Sequence, residues 1–224
     1  MDHDSRNRGD IVRLMKTFDD FYRIRFNTEF LAGTDEAGRG PLAGPVMAAA
    51  VILPPELDLP EINDSKKLTD KKRRELKEVI YTYALTVRFT AIDAEEIDRI
   101  NILRASLKAM RISVESLTTK PGIILVDGNK SFESDVSLLP IVKGDAKSLS
   151  VAAASIIAKV TRDDAMFELS RIYPEYGWDH NKGYPTKDHI AALKKYGPTP
   201  YHRKTFIDHI IGLDLFDQGG NIQK

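Results

Sequence analysis

The stretch Phe30-Leu31-Ala32-Gly33-Thr34-Asp35-Glu36-Ala37-Gly38-Arg39-Gly40-Pro41 decides the reading of this chain. Its apolar run predicts a strand over Phe30–Asp35, which delivers two adjacent carboxylates to a turn that needs two glycines, with one arginine held between them. Carboxylates bind hard cations such as Mg²⁺. Glycine lets backbone N–H groups approach a ligand closely, and arginine grips phosphate with a planar fork. A site that holds a divalent cation beside a phosphodiester is built from such parts.

Outward from that stretch, Gly38–Pro45 reads as a turn. Val46–Leu53 barely alternates, which predicts a strand buried on both faces and paired with the first as a hairpin. After the loop Ile62–Leu68, Thr69 caps a helix running to about Tyr83. Leu85–Ile92 is alternating and β-branched, a third strand. A helix opens at Asp93 or Ala94, and its apolar stripe continues through Ile102, Leu103, Leu107, Met110 and Ile112 to about Leu117. Ile123–Val126 is a short strand ending at Asp127-Gly128, and Leu139–Val142 another, ending at Lys143-Gly144-Asp145. The Ala-rich segment from Ser148 to about Ile172 predicts a long helix, apolar on most faces in its first half and therefore central and buried. Residues 174–185 read as an aromatic loop, followed by helices near 186–196 and 205–212. The order predicts an α/β fold with a mixed sheet flanked by helices and carboxylates gathered at one sheet edge. We expect an N-terminal arm or short helix over 1–28, a core over 29–173, and an aromatic loop with C-terminal helices over 174–224 that completes a substrate groove.

The chain has no cysteine, which excludes disulfides, zinc–thiolate sites and cysteine nucleophiles. No signal peptide or membrane span is predicted, and a cytoplasmic location is expected. The 33 basic residues are balanced by 33 acidic ones, which weighs against coating nucleic acid by bulk charge. Local basic patches remain: Lys66-Lys67 through Lys71-Lys72-Arg73-Arg74, and a scatter from Lys182 to Lys204. Lys66, in a loop before a basic helix, suits a phosphate contact; its neighbours on the helix suit a solvated face.

Four acids each follow an apolar strand-like run: Asp35, Glu36, Asp127 and Asp145. Two metal ions about 3.5–4 Å apart need several bridging carboxylates, and such pairs stabilise attacking and leaving oxygens of an in-line displacement. Adjacent residues on a strand point to opposite faces, so Asp35 and Glu36 both reach a metal only if the Gly38–Gly40 turn bends the chain, or Glu36 acts through water. Taken singly, each Asp-Gly pair also suits a simple turn, and Asp145 a helix start.

Asp35-Glu36-Ala37-Gly38-Arg39-Gly40 with Gly44-Pro45 resembles the signature of ribonuclease HII. The resemblance continues, in order, through Asn63-Asp64-Ser65-Lys66-Lys67-Leu68, Val126-Asp127-Gly128, Lys143-Gly144-Asp145, Ala153-Ala154-Ser155-Ile156, Ala158-Lys159-Val160, Arg162-Asp163, Lys182-Gly183-Tyr184 and His202-Arg203. It implies a ribonuclease H-like fold and a monomeric endonuclease using Mg²⁺ or Mn²⁺. The implied substrates are the RNA strand of RNA–DNA hybrids and single ribonucleotides embedded in duplex DNA, cut on the 5′ side to leave 3′-hydroxyl and 5′-phosphate ends. Asp35, Glu36, Asp127 and Asp145 would hold the metals. Gly38, Arg39 and Gly40 would contact the backbone around the 2′-OH, which is what separates RNA from DNA. Asn63, Ser65 and Lys66 would bind substrate, and Tyr184 would pack on the neighbouring deoxyribose.

Tyr184 lies between Gly183 and Pro185, which favours exposure, whereas Tyr173 suits packing; the cluster Tyr173, Tyr176, Trp178 and Tyr184 is equally compatible with a core. His180, His189 and His202 are too widely spaced for one helical metal face and read as surface or phosphate-contacting residues. Leu213-Asp214-Leu215-Phe216 resembles the peptide by which bacterial replication proteins dock on the sliding clamp, with Gly212 where Gln is usual; a final amphipathic helix explains it equally. The competing reading is a non-catalytic hybrid-duplex binder, disfavoured because four acids beside phosphates give a pure binder nothing. A junction resolvase or ribonuclease HIII is a third reading, which lacks support in Gly38-Arg39-Gly40.

Overall fold

The structure, a computed structural model, describes residues 3–57, 59, 62 and 68–217, with the side chains of 3–10 and 213–217 outside the description. Five strands form one mixed sheet in the order β3-β2-β1-β4-β5: β1 (Leu31–Ala37), β2 (Val46–Ile52), β3 (Thr86–Ile92), β4 (Ile123–Asp127) and β5 (Ser137–Ile141). The hairpin β1–β2 is antiparallel, while β1–β4 and β4–β5 are parallel. β2 is buried along its whole length, as its unbroken apolar run requires. The helices are α1 (His3–Arg25), α2 (Asp70–Tyr83), α3 (Ala94–Ile100), α4 (Ile102–Glu115), α5 (Leu149–Ile172), α6 (Trp178–Asn181), α7 (Lys187–Tyr196) and α8 (Lys204–Asp217).

The chain divides into two compact units. The first comprises residues 1–37, 47–91 and 106–160 and contains the sheet. Its core sets Val51 and Leu53 against Leu76 and Ile80 of α2 and the Ala152–Ile157 face of α5. Small side chains on α5 let helix and sheet backbones approach closely. A Cβ on Gly33 of β1 would stand 2.2 Å from the Ser150 carbonyl carbon, so only glycine fits there. Helix α2 begins as expected, with the Thr69 hydroxyl accepting the Lys72 N–H at 3.2 Å. Helix α1 is longer than a short arm. It packs Val12, Met15, Phe18 and Tyr22 on the core, and its buried Asp19 accepts both the N–H and the hydroxyl of Ser150 at 2.9 Å, at the start of α5. Burial raises the Asp19 pKa against those bonds, and the position at a helix N-terminus suits the charged form.

The second unit comprises residues 38–46, 92–105 and 161–224. One small core gathers Ala43, Met166, Tyr176, Trp178 and Ala192, and another Leu42, Leu193, Ile207 and Ile210. Asp98 on α3 caps α8, accepting the N–H groups of Lys204 and Thr205 at 2.8 and 3.1 Å. Two expectations need correction. The helix expected from residue 94 to 117 is two, because Asn101 adopts φ 68° and breaks the hydrogen-bond ladder between α3 and α4. The aromatic segment 174–185 is not all loop: Pro174–Tyr176 forms a 3₁₀ turn and α6 follows.

Candidate active site

Strand β1 does not stop at the acidic pair. Asp35 pairs with Ala49, Glu36 with Ala48 and Ala37 with Met47, so the strand stays regular through both acids and sends them to opposite faces. The last parallel pair between β1 and β4 is Thr34 with Val126, which puts Asp35 and Asp127 at the next step on neighbouring strands, on the same side. Asp35 is buried at 5% exposure and its pKa is raised well above the carboxylate range. Burial is the main cause, and the negative charges of Glu36 and Asp127 add to it. A hydrogen bond from Ser155 on α5 and one from the Glu36 N–H, at 2.7 Å, oppose the rise.

Asp127 is the hub of the second half. Lys143 takes a left-handed conformation (φ 57°) and turns the chain after β5 into a 3₁₀ turn over Gly144–Ala146. The Gly144 N–H thereby donates to Asp127 Oδ1 at 2.6 Å, with the Asp145 N–H at 3.4 Å from the same oxygen. Asp145 is buried in that turn. All four acids therefore belong to the first unit, and Asp35 is electrostatically joined to Glu36 and Asp127. Among the described residues, no three acidic, histidine or cysteine side chains are already gathered as a closed metal cage. The donor set fits a hard cation nonetheless. It offers carboxylate oxygen throughout, and the mutual repulsion at Asp35 is what a divalent charge would relieve. Mg²⁺ in phosphate chemistry uses one or two carboxylates and completes its shell with water and substrate oxygens, so a closed cage is not required.

The Gly38–Pro45 turn, in the second unit, is set by two buried arginines. Gly38 has φ +93° and Gly44 φ +84°, both in the left-handed region where glycine is favoured. Arg203 donates to the carbonyls of Gly38 at 2.7 Å, Arg39 at 3.0 Å and Gly44 at 2.9 and 3.1 Å. Arg162 donates to Pro45 at 3.0 Å, Ala43 at 3.2 Å and Lys182 at 3.1 Å. Five carbonyls of the turn are thus drawn to guanidinium groups. Burial lowers the pKa of both arginines, and the Arg162 charge helps push Arg203 down to about 9.

Tyr184 is exposed, as its Gly-Tyr-Pro setting suggested, at 42%. A Cβ on Gly40 would lie 3.6 Å from its ring, so Gly40 and Tyr184 are neighbours. Arg39 and Gly40 are exposed and Gly38 is buried. Asn63, Ser65 and Lys66 lie outside the described residues, as do the side chains of Leu213–Phe216 on α8. The reading of the histidines is corrected for two of three. His180 is exposed, but His189 and His202 are buried at 0% and 2%, bonded to each other and ringed by Tyr176 and Trp178. Sequence reasoning assigned no role to Ser155, Arg162 or Arg203, although each lies in a quoted block. The legible signals were a lone serine in an otherwise apolar helical run, and arginines with no acid at helical spacing.

The Ribonuclease HII family model matches residues 32–209. Ribonuclease HII of Caldanaerobacter subterraneus subsp. tengcongensis is 54% identical over 194 residues, 85% of this chain and 80% of that protein. Ribonuclease H2 from Pyrococcus horikoshii OT3 superposes with a TM-score of 0.71 at 28% identity, covering 86% of this chain and all of that one. The ribonuclease HII of Archaeoglobus fulgidus, solved as a complex with PCNA, gives a TM-score of 0.64 at 25% identity over 78% of this chain and 93% of that chain.

Proposed function

From the premise that the chain belongs to the ribonuclease HII family, and is thus a ribonuclease H endonuclease, we propose that it cuts 5′ of single ribonucleotides in duplex DNA and within RNA–DNA hybrids, leaving 3′-hydroxyl and 5′-phosphate ends. The observation that carries this reading is buried Asp35, held on the same side of the sheet as Asp127 and raised in pKa by burial and by Glu36 and Asp127. Asp35, Asp127 and Asp145 would hold Mg²⁺ or Mn²⁺ directly, with Glu36, on the opposite face of the regular strand, acting through water. When bound, the cations lower the pKa of an attacking water and neutralise charge developing on the phosphate.

The protein's own contribution is positional. The Gly144 and Asp145 N–H groups orient the Asp127 carboxylate, and Ser155 orients Asp35. His189 and His202 are buried with their ring nitrogens already hydrogen-bonded, so neither is available as a general base. Gly38, Arg39 and Gly40, directly after Ala37 in the chain, read the 2′-OH; Tyr184, beside Gly40, packs on the adjoining sugar. Asn63, Ser65 and Lys66 complete the substrate contacts. Docking on a sliding clamp through Leu213–Phe216 draws support from the Archaeoglobus relative's complex with PCNA. No helix among the described residues is long and apolar enough to cross a membrane. The reading is of a monomer acting in the cytoplasm.

The test is a DNA duplex with one ribonucleotide, incubated with the protein and Mg²⁺ or Mn²⁺. We expect one cut 5′ of the ribonucleotide, abolished by EDTA and in Asp127→Asn. Tight binding without cleavage in either metal would instead indicate a non-catalytic hybrid-duplex binder.

A further inference from the structure

We infer that His189 is a positioning residue for Tyr184, acting through a buried Trp178–His189–His202 chain that fixes the backbone presenting the tyrosine ring. The inference rests on Tyr184 contacting substrate, as proposed above. His189 Nδ1 lies 2.9 Å from the Tyr184 carbonyl oxygen, which can only accept, so Nδ1 carries the proton. Its Nε2 is then an acceptor, and it receives the Trp178 Nε1–H at 3.0 Å. His202 Nε2 approaches the same atom at 3.1 Å, so it carries its proton on that side and shares the single Nε2 lone pair of His189 with Trp178. That tautomer leaves His202 Nδ1 as an acceptor, facing the Thr199 N–H at 3.0 Å and the Thr199 hydroxyl at 3.0 Å. The ring proton of each histidine is therefore assigned by its neighbours.

The far end of this chain is the segment that needs fixing. Lys182 and Gly183 both have positive φ, 52° and 82°, so the backbone doubles back just before Tyr184. The Tyr184 N–H donates to the Asn181 carbonyl at 2.9 Å, and the Thr186 N–H donates to the Tyr184 carbonyl at 2.8 Å. Both are backbone bonds within residues 181–186. His189 supplies a side-chain anchor to the same carbonyl from α7, and the ring it anchors stands out to solvent. A rigid imidazole is suited to the task because it donates at one edge and accepts at the other. Asparagine can place a donor where Nδ1 stands but no acceptor at Nε2; glutamine can do the reverse.

The intact protein is assayed by steady-state cleavage of a duplex carrying one ribonucleotide, in wild type, Tyr184→Ala, His189→Gln, His189→Asn and the Tyr184→Ala/His189→Gln double variant. We expect His189→Gln to raise KM about fivefold with kcat within about twofold, and His189→Asn to recover most of that loss. In the Tyr184→Ala background His189→Gln should change nothing further. An unchanged KM in His189→Gln, or single effects that multiply in the double variant, would overturn the inference. An unchanged KM in Tyr184→Ala would sink the substrate role of Tyr184 itself, and this inference with it. One measurement needs no His189 variant: histidine ¹⁵N–¹H spectra of the wild type, free and with the duplex in EDTA. His189 should carry its proton on Nδ1 and shift on duplex addition, but not in Tyr184→Ala. A proton on Nε2, or no shift at saturation, refutes the proposal even if His189→Gln fails to fold.

Discussion

Acidification should destabilise this protein through His202 well before its ordinary carboxylates titrate. Its Nδ1 already accepts from Thr199, and its Nε2 proton is committed to His189, so a second proton would face a donor. Burial and the neighbouring His189 lower its pKa from 6.5 to about 4. The sign follows directly. Between those values the unfolded chain binds a proton that the folded state refuses, so stability is present above pH 6.5 and is lost as the pH falls toward 4. One unit is worth about 1.4 kcal/mol. The group therefore withdraws about 2 kcal/mol between pH 7 and 5, and about 3 kcal/mol by pH 4. His189, also lowered by burial, acts in the same direction. Asp19 and Asp35, whose pKa values are raised, act in the opposite one, since protonation relieves their burial. The assay is thus differential: urea unfolding of wild type and His202→Gln across pH 5–7.5, in EDTA. The stability advantage of the wild type should shrink by about 2 kcal/mol from pH 7 to 5. Parallel curves over that range would refute the assigned protons.

Asp35→Asn should abolish cleavage while raising the melting temperature in EDTA, because it removes a buried charge repelled by two others; a lower melting temperature would contradict the electrostatic account. Millimolar Mg²⁺ should raise the wild-type melting temperature and leave Asp35→Asn nearly unmoved, as read by differential scanning fluorimetry. Gly33→Ala puts a Cβ 2.2 Å from a backbone carbon of α5 and should cost about 3 kcal/mol or more in urea unfolding. Gly38→Ala sets a Cβ 2.0 Å from Arg162 Nε at φ +93°, so it should lower kcat/KM on a ribonucleotide-bearing duplex by at least about tenfold, with the Mg²⁺-induced rise in melting temperature retained.

What could be read from the sequence was what neighbours in the chain decide. Thr69 before a charged amphipathic run marks α2 to the residue, and the apolar run of Val46–Leu53 marks the hairpin partner of β1. The acidic pair beside Gly-Arg-Gly pointed to a site because so few structures need those types at that spacing. The register that brings Asp35 level with Asp127 depends on β1 pairing with a strand some ninety residues away, which no local pattern carries. His189 and His202 were misplaced for a related reason. A histidine's burial depends on whether both ring nitrogens find partners, and the partners here, Trp178, Tyr184 and Thr199, belong to three separate turns of chain. The break at Asn101 was not legible because residue periodicity does not register a single positive φ within an otherwise continuous apolar stripe. Asp19 escaped notice inside a polar helix, where nothing marks one acid among several as the cap of a helix 130 residues later.

The interleaving of the two units along the chain sets the order in which a nascent protein can mature. The centre of the sheet is closed by Leu31 meeting Ile123, and neither unit is complete until residues beyond 120 have emerged. At about ten residues per second of translation, the β1–β2 hairpin waits on the order of ten seconds with one edge of β1 unpaired. An open apolar edge is an invitation to intermolecular pairing. Asp35 and Glu36 lie just past the stretch of that edge that β4 will pair, which ends at Thr34, and their charges oppose such intermolecular pairing. Neutral substitutions at Asp35 and Glu36 should therefore lower soluble yield in rapid expression even where the finished fold gains stability.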